Sequence, residues 1–340
     1  MLRLAAEVLQ EPSFPSADFD EFRRAELADL ESSRSDPESV TARQIRRYVS
    51  PYSIDDFRYI PTLDEEVAET AAVTLQDVIH FHRQFYGVAA AEVAVVGSFD
   101  SQEISRTIVE LFGDWKSRSS YRRAVSLYRP VPAKKEILLT PDKANAIYLA
   151  ESRFAIRDDD AQYPALLVGN EILGGGFLNS RLAKRIRQKD GLSYSVGSTI
   201  SADSWDRVGS FNAYAICAPP SVSKLERDVL DEIRRAVSEG FTGQEIDAAK
   251  AGILQSNIVA RSSDVGIASE LARQLYLGRD FHSQEQLEDN IKRVSADEIQ
   301  GVIRAYIDPA KFVIVEAGDF SKVDQLTAEP GNPPTTSPSE

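Results

Sequence analysis

Apolar and polar residues alternate along this chain in two long, similar patterns. Val73 to Asp100, VTLQDVIHFHRQFYGVAAAEVAVVGSFD, aligns without a gap with Val294 to Ser321, VSADEIQGVIRAYIDPAKFVIVEAGDFS, at an offset of 221. Each copy opens on an apolar residue and a hydroxyl helix cap, Thr74 or Ser295. An acid follows three residues later: Glu298 makes a capping box with Ser295, and Asp77 approximates one with Thr74. Each continues as an amphipathic helix with Arg83 or Arg304 at the same place, then as a strand-like run ending at Gly97 or Gly318, ahead of Phe99 or Phe320. A weaker echo pairs FPSADFDEFRRAELADL from Phe14 with FTGQEIDAAKAGILQS from Phe241, at an offset of 227. The expectation is two copies of one domain.

The second copy reads as whole. After the Pro-containing stretch YRPVPAKK from Tyr128, strands are predicted at Lys135–Leu139 and Ala146–Ala150, then a helix from about Asp160 to Leu173. The run Gly174-Gly175-Gly176 follows, then a helix to Asp190. Alternation predicts strands in SYSVGSTIS and RVGSFNAYAICA. Ser223 to Glu239 reads as a helix stopped by Gly240, and Thr242 with Glu245 caps the next. Lys311 to Ala317 is the final strand. In the first copy, moving back by the offset puts the opening strands before residue 1, with Met1 inside the counterpart of the Ser223–Glu239 helix. The strand-like run Glu92–Phe99 then has no local sheet to join, and unpaired buried backbone is costly. Either the chain is part of a longer polypeptide or its first lobe has been reduced, and the former is the expectation. The domain reading is a truncated, mostly helical first domain (1–118), a linker (119–134), a complete second domain (135–322) and a disordered tail (323–340).

Composition narrows the functions. The net charge of −14 argues against nucleic acid, which needs clustered Lys and Arg, and fits an anionic membrane poorly. The single Cys217 excludes an internal disulfide or a Cys-based zinc cluster and reads as a small core residue. No apolar run has the length of a membrane span. MLRLAAEVLQEPSF carries an early Glu and reads as an amphipathic helix rather than a signal peptide. The compartment is left open, cytoplasmic or periplasmic if the source is bacterial.

The most informative stretch is RLAKRIRQKDGLSYSV, in which Arg187 and Tyr194 lie on the two sides of a helix–glycine–strand corner. Arg187 falls in the last helical turn, where a cation complements the helix dipole. Tyr194 shares a strand face with Val196 and reads alone as a half-buried tyrosine. Together they supply fixed donors and a hydroxyl for a carbonyl that gains negative charge during attack. The glycine run precedes a helix, yet no GK[ST] or dinucleotide fingerprint follows, so a tight turn with close backbone approach is expected, without nucleotide binding. The three histidines, His80, His82 and His282, have no H-x-x-E-H spacing. Asp158-Asp159-Asp160 reads as a solvated turn ahead of a helix N-terminus.

GGGFLNSRLAKRIRQKDGLSYSVGS resembles the corresponding segment of the pitrilysin/insulinase family of zinc peptidases, as do the ending FVIVEAGDF and its repeat. The resemblance spans Leu2 to Phe320. It implies an α+β fold of tandem domains, each an antiparallel-rich sheet covered by helices, paired into two halves that close like a clamshell. One half carries H-x-x-E-H and a distant Glu as zinc ligands, and the other carries the Arg–Tyr pair. The resemblance therefore makes this chain the non-zinc half, with Arg187 and Tyr194 as substrate and transition-state contacts beside Gly174, Gly175 and Gly176. Asp29 stands at the third-ligand position of active halves, one methylene shorter. Implied are zinc in a partner half, fused or separate, an unfolded peptide as substrate, and no metal on this chain. The alternative is a catalytically inactive scaffolding or assembly subunit.

Overall fold

The computed structural model describes residues 2–321, so the tail expected at 323–340 lies outside the described residues. The N-terminal segment is helical: α1 (Leu2–Gln10), α2 (Ser16–Ser33), α3 (Pro37–Val49), α4 (Leu63–Ala72), α5 (Leu75–Phe85) and α6 (Ser101–Phe112). Then come β1 (Lys134–Leu139), β2 (Ala146–Phe154), α7 (Tyr163–Asn170), β3 (Ser195–Ala202), β4 (Gly209–Cys217), α8 (Val222–Glu239), α9 (Gly243–Ala260), α10 (Asp264–Tyr276), α11 (Phe281–Arg293), α12 (Ala296–Tyr306) and β5 (Val313–Gly318).

The sequence repeat is a repeat of helices. α2 and α9 each have 18 residues, α3 and α10 each 13, and α5 and α12 each 11. α5 and α12 both begin with a complete capping box, from Thr74 with Asp77 and from Ser295 with Glu298. Such caps satisfy amide donors that the first turn leaves open, which is why the boundaries coincide.

The strands form one sheet in the order β1-β5-β2-β4-β3. β1 and β5 run parallel, and the other pairs are antiparallel. Because strand side chains alternate, one face presents Tyr148, Ala150, Phe211, Ala213, Ala215 and Ile314 to the helices, and this is the main core. Phe211 and Phe312 stack there with ring centroids 5.7 Å apart. α7 is apolar around most of its circumference and is buried between the sheet and its neighbours.

The opposite face is covered from the N-terminal segment. Asp36 caps α3 by accepting from the Ser39 amide at 2.8 Å, and Pro37 occupies its first turn. Thr41, Ile45 and Val49 follow at helical spacing and are buried. Ile45 and Val49 pack on Val313 and Val315, with Leu138 and Leu149 alongside. Across the same junction, Arg123 grips Asp206 through two hydrogen bonds of 2.6 and 2.8 Å, and Tyr52 Oη accepts from the Leu127 amide at 3.0 Å.

Two expectations are corrected. Glu92–Phe99 is not a strand, and Val93, Val95 and Phe99 are exposed. Its counterpart β5 is flanked by β1 and β2, whereas the first copy offers no such neighbours among the described residues, and a strand alone leaves its backbone groups unpaired. The helix expected from Asp160 to Leu173 starts at Tyr163 and changes winding after Asn170.

Ile45→Ala should lower the unfolding free energy by about 2–5 kcal/mol, while Phe22→Ala, on the exposed face of α2, should stay within about 0.5 kcal/mol of the parent. Urea titration followed by circular dichroism decides this, and equal effects would show that α3 does not seal the sheet.

Candidate functional site

α7 runs into a wider π-turn, Glu171–Gly175, closed by the Gly176 amide donating to the Glu171 carbonyl at 2.8 Å. Close approach governs Gly174. A Cβ placed there would lie 2.3 Å from Ser198 Oγ and 2.4 Å from the Ser198 amide nitrogen, so only glycine lets this turn lie on β3. Asn170 fixes the contact, its Oδ1 accepting from Ser198 Oγ at 2.8 Å. The close backbone approach expected at the glycine run is present, but the run winds wider rather than forming a tight turn. The left-handed residue here is Phe177, with φ of 47°, while Gly176 keeps an ordinary φ of −76°.

Ser180 starts the next helix, donating to the Phe177 carbonyl at 2.8 Å and accepting from the Ala183 amide at 3.3 Å. The helix widens over Ala183–Lys189 and stops as expected: Gly191 takes φ of 61°, and the Leu192 amide closes on the Ile186 carbonyl at 2.9 Å. Arg187 occupies the last turn. Its Nη1 donates to the Tyr194 carbonyl at 3.1 Å, and its guanidinium lies 5.9 Å from the centre of the Phe177 ring. Arg187, Tyr194 and the glycine turn thus meet at the head of β3, an edge strand. Tyr194 precedes the strand rather than sharing its face with Val196, and is 69% exposed rather than half-buried. Its hydroxyl has no partner among the described residues. One guanidinium arm is occupied by the carbonyl, and the remaining donors and the phenol face outward.

Sequence reasoning missed Arg181. It forks onto Glu245 at 2.7 and 2.8 Å, donates to the Gly240 carbonyl at 3.0 Å and stacks 4.7 Å from the Phe241 ring centre. Glu245 also closes the Thr242 capping box of α9. The Arg181 hydrogen bond, ahead of those from Thr242, holds the Glu245 carboxyl down at about 2. Arg185 ties the same helix to Asp190 and to Asp228 of α8, both at 2.9 Å. The Arg–Glu spacing of 64 residues carries no local signal.

The acidic run is also corrected. Asp158 is forked by Arg279 at 3.0 and 2.8 Å, Asp159 pairs with Arg157 and Asp160 with Arg207 at 2.8 Å. It is a junction of ion pairs rather than a solvated turn. Cys217 is buried in the core, and burial pushes its thiol up to about 11. His80 is exposed, a His82 ring nitrogen lies 2.8 Å from the Leu9 carbonyl, and His282 sits 3.3 Å from Glu285. Asp29 is exposed on α2. Among the described residues no group of three or more His, Cys, Asp or Glu side chains is placed to hold a metal ion, so this donor set does not fit a zinc site. No helix there is long and apolar enough to cross a membrane.

The fold is the helix-covered, antiparallel-rich α+β type, with the Arg–Tyr pair beside the glycine turn. The chain belongs to the family described as "Peptidase M16 inactive domain", whose pattern matches residues 72–253, just over half of it. It is 27% identical over 238 residues to an uncharacterized zinc protease of Streptomyces coelicolor, covering 68% of this chain and 51% of that one. It is 26% identical over 230 residues to the non-peptidase homolog YmxG of Helicobacter pylori, covering 63% and 52%. The chain thus spans about half the length of these relatives. The solved peptidase M16 inactive domain from Pseudomonas fluorescens superposes with a TM-score of 0.76 at 20% identity, over 93% of this chain and 74% of that one. A protease from Helicobacter pylori gives the same TM-score at 15% identity, over 93% and 75%. Both show the fold.

Gly174→Ala should destabilise the fold by about 1–3 kcal/mol through overpacking. Gly301→Ala, within α12 and with nothing within 4 Å of the added methyl, should stabilise it by up to about 1 kcal/mol. Paired urea titrations check the opposite signs. A second expectation concerns pH. Because Glu245 falls from the usual 4.5 to about 2, its contribution is complete above pH 4.5 and is lost as pH drops from there through 2. Arg181→Met should flatten the loss of stability in that window, as read from melting temperature against pH.

Proposed function

We propose that this chain is the substrate-binding, non-zinc half of a two-part zinc endopeptidase that hydrolyses unfolded peptides. The observation that carries the reading is the Arg187–Tyr194 pair at the head of the edge strand β3. An edge strand offers unpaired amides and carbonyls, and an extended peptide can add to it as a further strand. Such a peptide brings its carbonyls past the outward donors of Arg187 and the phenol of Tyr194. Donors held in place before the reaction stabilise charge developing on a carbonyl oxygen without reorganising. Ser180, Arg181 and Arg185 keep the Arg187 helix fixed, and Gly174 against Ser198 fixes the turn to the strand.

The partner half, fused or separate, bears H-x-x-E-H and the zinc, which when bound supplies an activated water for peptide hydrolysis. The functional unit on this side is taken as residues 135–322, joined through 119–134 to the helical segment 1–118. The names of several relatives as zinc proteases support the reading. A scaffolding role without cleavage is the second reading, supported by the name of the YmxG relative as a non-peptidase homolog.

With the partner half present, Arg187→Ala and Tyr194→Phe should each lower kcat for an unfolded peptide by about 10²-fold, with circular dichroism and melting temperature unchanged. Full turnover in both variants would remove the pair from the mechanism, and stable association without any cleavage by the parent protein would favour the scaffold.

A further inference from the structure

Glu171 opens the glycine turn, with no hydrogen bond or ion pair from its carboxylate to any described residue. Burial alone acts on its carboxyl, and raises it above the usual range. An unpaired, half-buried carboxylate is costly, and a cation relieves that cost. The side chain opens into a cavity of about 490 Å³ that Gly176, Asn179, Lys184, Glu245 and Gly252 help to line, within the size range of about 300–1,000 Å³ usual for ligand pockets. Of the two acids, Glu245 is already held by Arg181 and by the Thr242 cap, so Glu171 is the carboxylate left available. The surrounding backbone is bare. Methyl groups placed on Gly175, Gly176 and Gly252 would lie 3.1, 3.4 and 3.5 Å from its carboxylate oxygens. Gly175 is thus the one whose side chain would crowd the acid, while Gly176 and Gly252 would stand at ordinary contact distance.

The cavity adjoins the Arg187 corner in sequence. Gly176 lines it, and the next residue, Phe177, carries the Arg187 guanidinium over its ring. Lys184 at the rim is exposed and makes no ion pair with a described residue. It is a rival cation for Glu171, held by nothing else.

We propose that this cavity is a specificity pocket that receives a lysine or arginine side chain of a peptide lying along β3, with Glu171 as the group that binds its charge. The inference rests on the peptide-binding reading above and adds the substrate class.

The test uses the full chain and two fluorescent peptides of one unstructured sequence, differing only in a single arginine or its neutral isostere citrulline. Anisotropy titrations of the parent should show the arginine peptide bound about tenfold or more tightly. Glu171→Gln should abolish that preference and leave the citrulline affinity unchanged. Lys184→Gln, which removes the rival cation, should widen it. Equal binding of the two peptides by the parent, a preference that survives Glu171→Gln, or a narrowed preference in Lys184→Gln would each overturn the pocket while leaving peptide binding at β3 intact. If neither peptide binds the parent chain, both the pocket and the peptide-binding reading fall.

Discussion

No side chain fits between the glycine turn and β3, and the site depends on that contact. The space where a Cβ of Gly174 would sit is already taken by Ser198, at 2.3 Å. Asn170 one turn earlier bonds the same serine, so the end of α7 and the edge strand form one rigid corner. The wider winding over Glu171–Gly175 follows, because the chain has to turn away from the sheet within a few residues. Phe177 in its left-handed conformation, Ser180 as a cap and the helix carrying Arg187 come next. The Arg187 bond to the Tyr194 carbonyl then closes the far side of the same corner.

The sheet supports this corner through unequal treatment of its two faces. One is sealed by the helices of the second copy. The other is sealed over β5 and β2 by α3, whose 13-residue counterpart α10 lies elsewhere. A repeated helix has therefore been put to two uses. β3 lies at the far end of the strand order from β1, away from α3, and Thr199 and Ser201 on it remain exposed. The covered strands hold the core, and β3 remains an edge strand.

Much of this is legible in the sequence because the signals are local. Capping boxes at Thr74, Thr242 and Ser295 fix helix starts by hydrogen bonds within four residues. Alternation in SYSVGSTIS and FNAYAIC marks half-buried strands, and Gly191 and Gly240 mark helix ends by their conformation. What stays hidden is non-local. Glu92–Phe99 has the composition of a strand, but a strand exists only with neighbours. Asp158 reads as solvated because its partner Arg279 lies 121 residues away. The same holds for Arg181 and Glu245. In the candidate site, the spacing of Arg187 and Tyr194 is visible, but not that the guanidinium bonds the tyrosine's carbonyl and leaves its phenol free.

A cation and an acid lie near the glycine turn, Arg187 over Phe177 and Glu171 at its start, and this bears on how a peptide would lie. Arg187 offers donors to a carbonyl, while Glu171 offers an acceptor to a cation, and Gly176 and Phe177 separate them. A strand added to a bare sheet edge binds through its backbone, which every sequence shares, so register along the edge is weakly specified. A single charged side chain seated in a fixed pocket removes that degeneracy. On the proposed reading it would pin one residue of the peptide relative to the Arg–Tyr pair, and hence select which carbonyl the pair meets. The glycines would then serve two ends at once: Gly174 brings the turn onto the strand, and Gly176 would line the pocket for the side chain that sets the register.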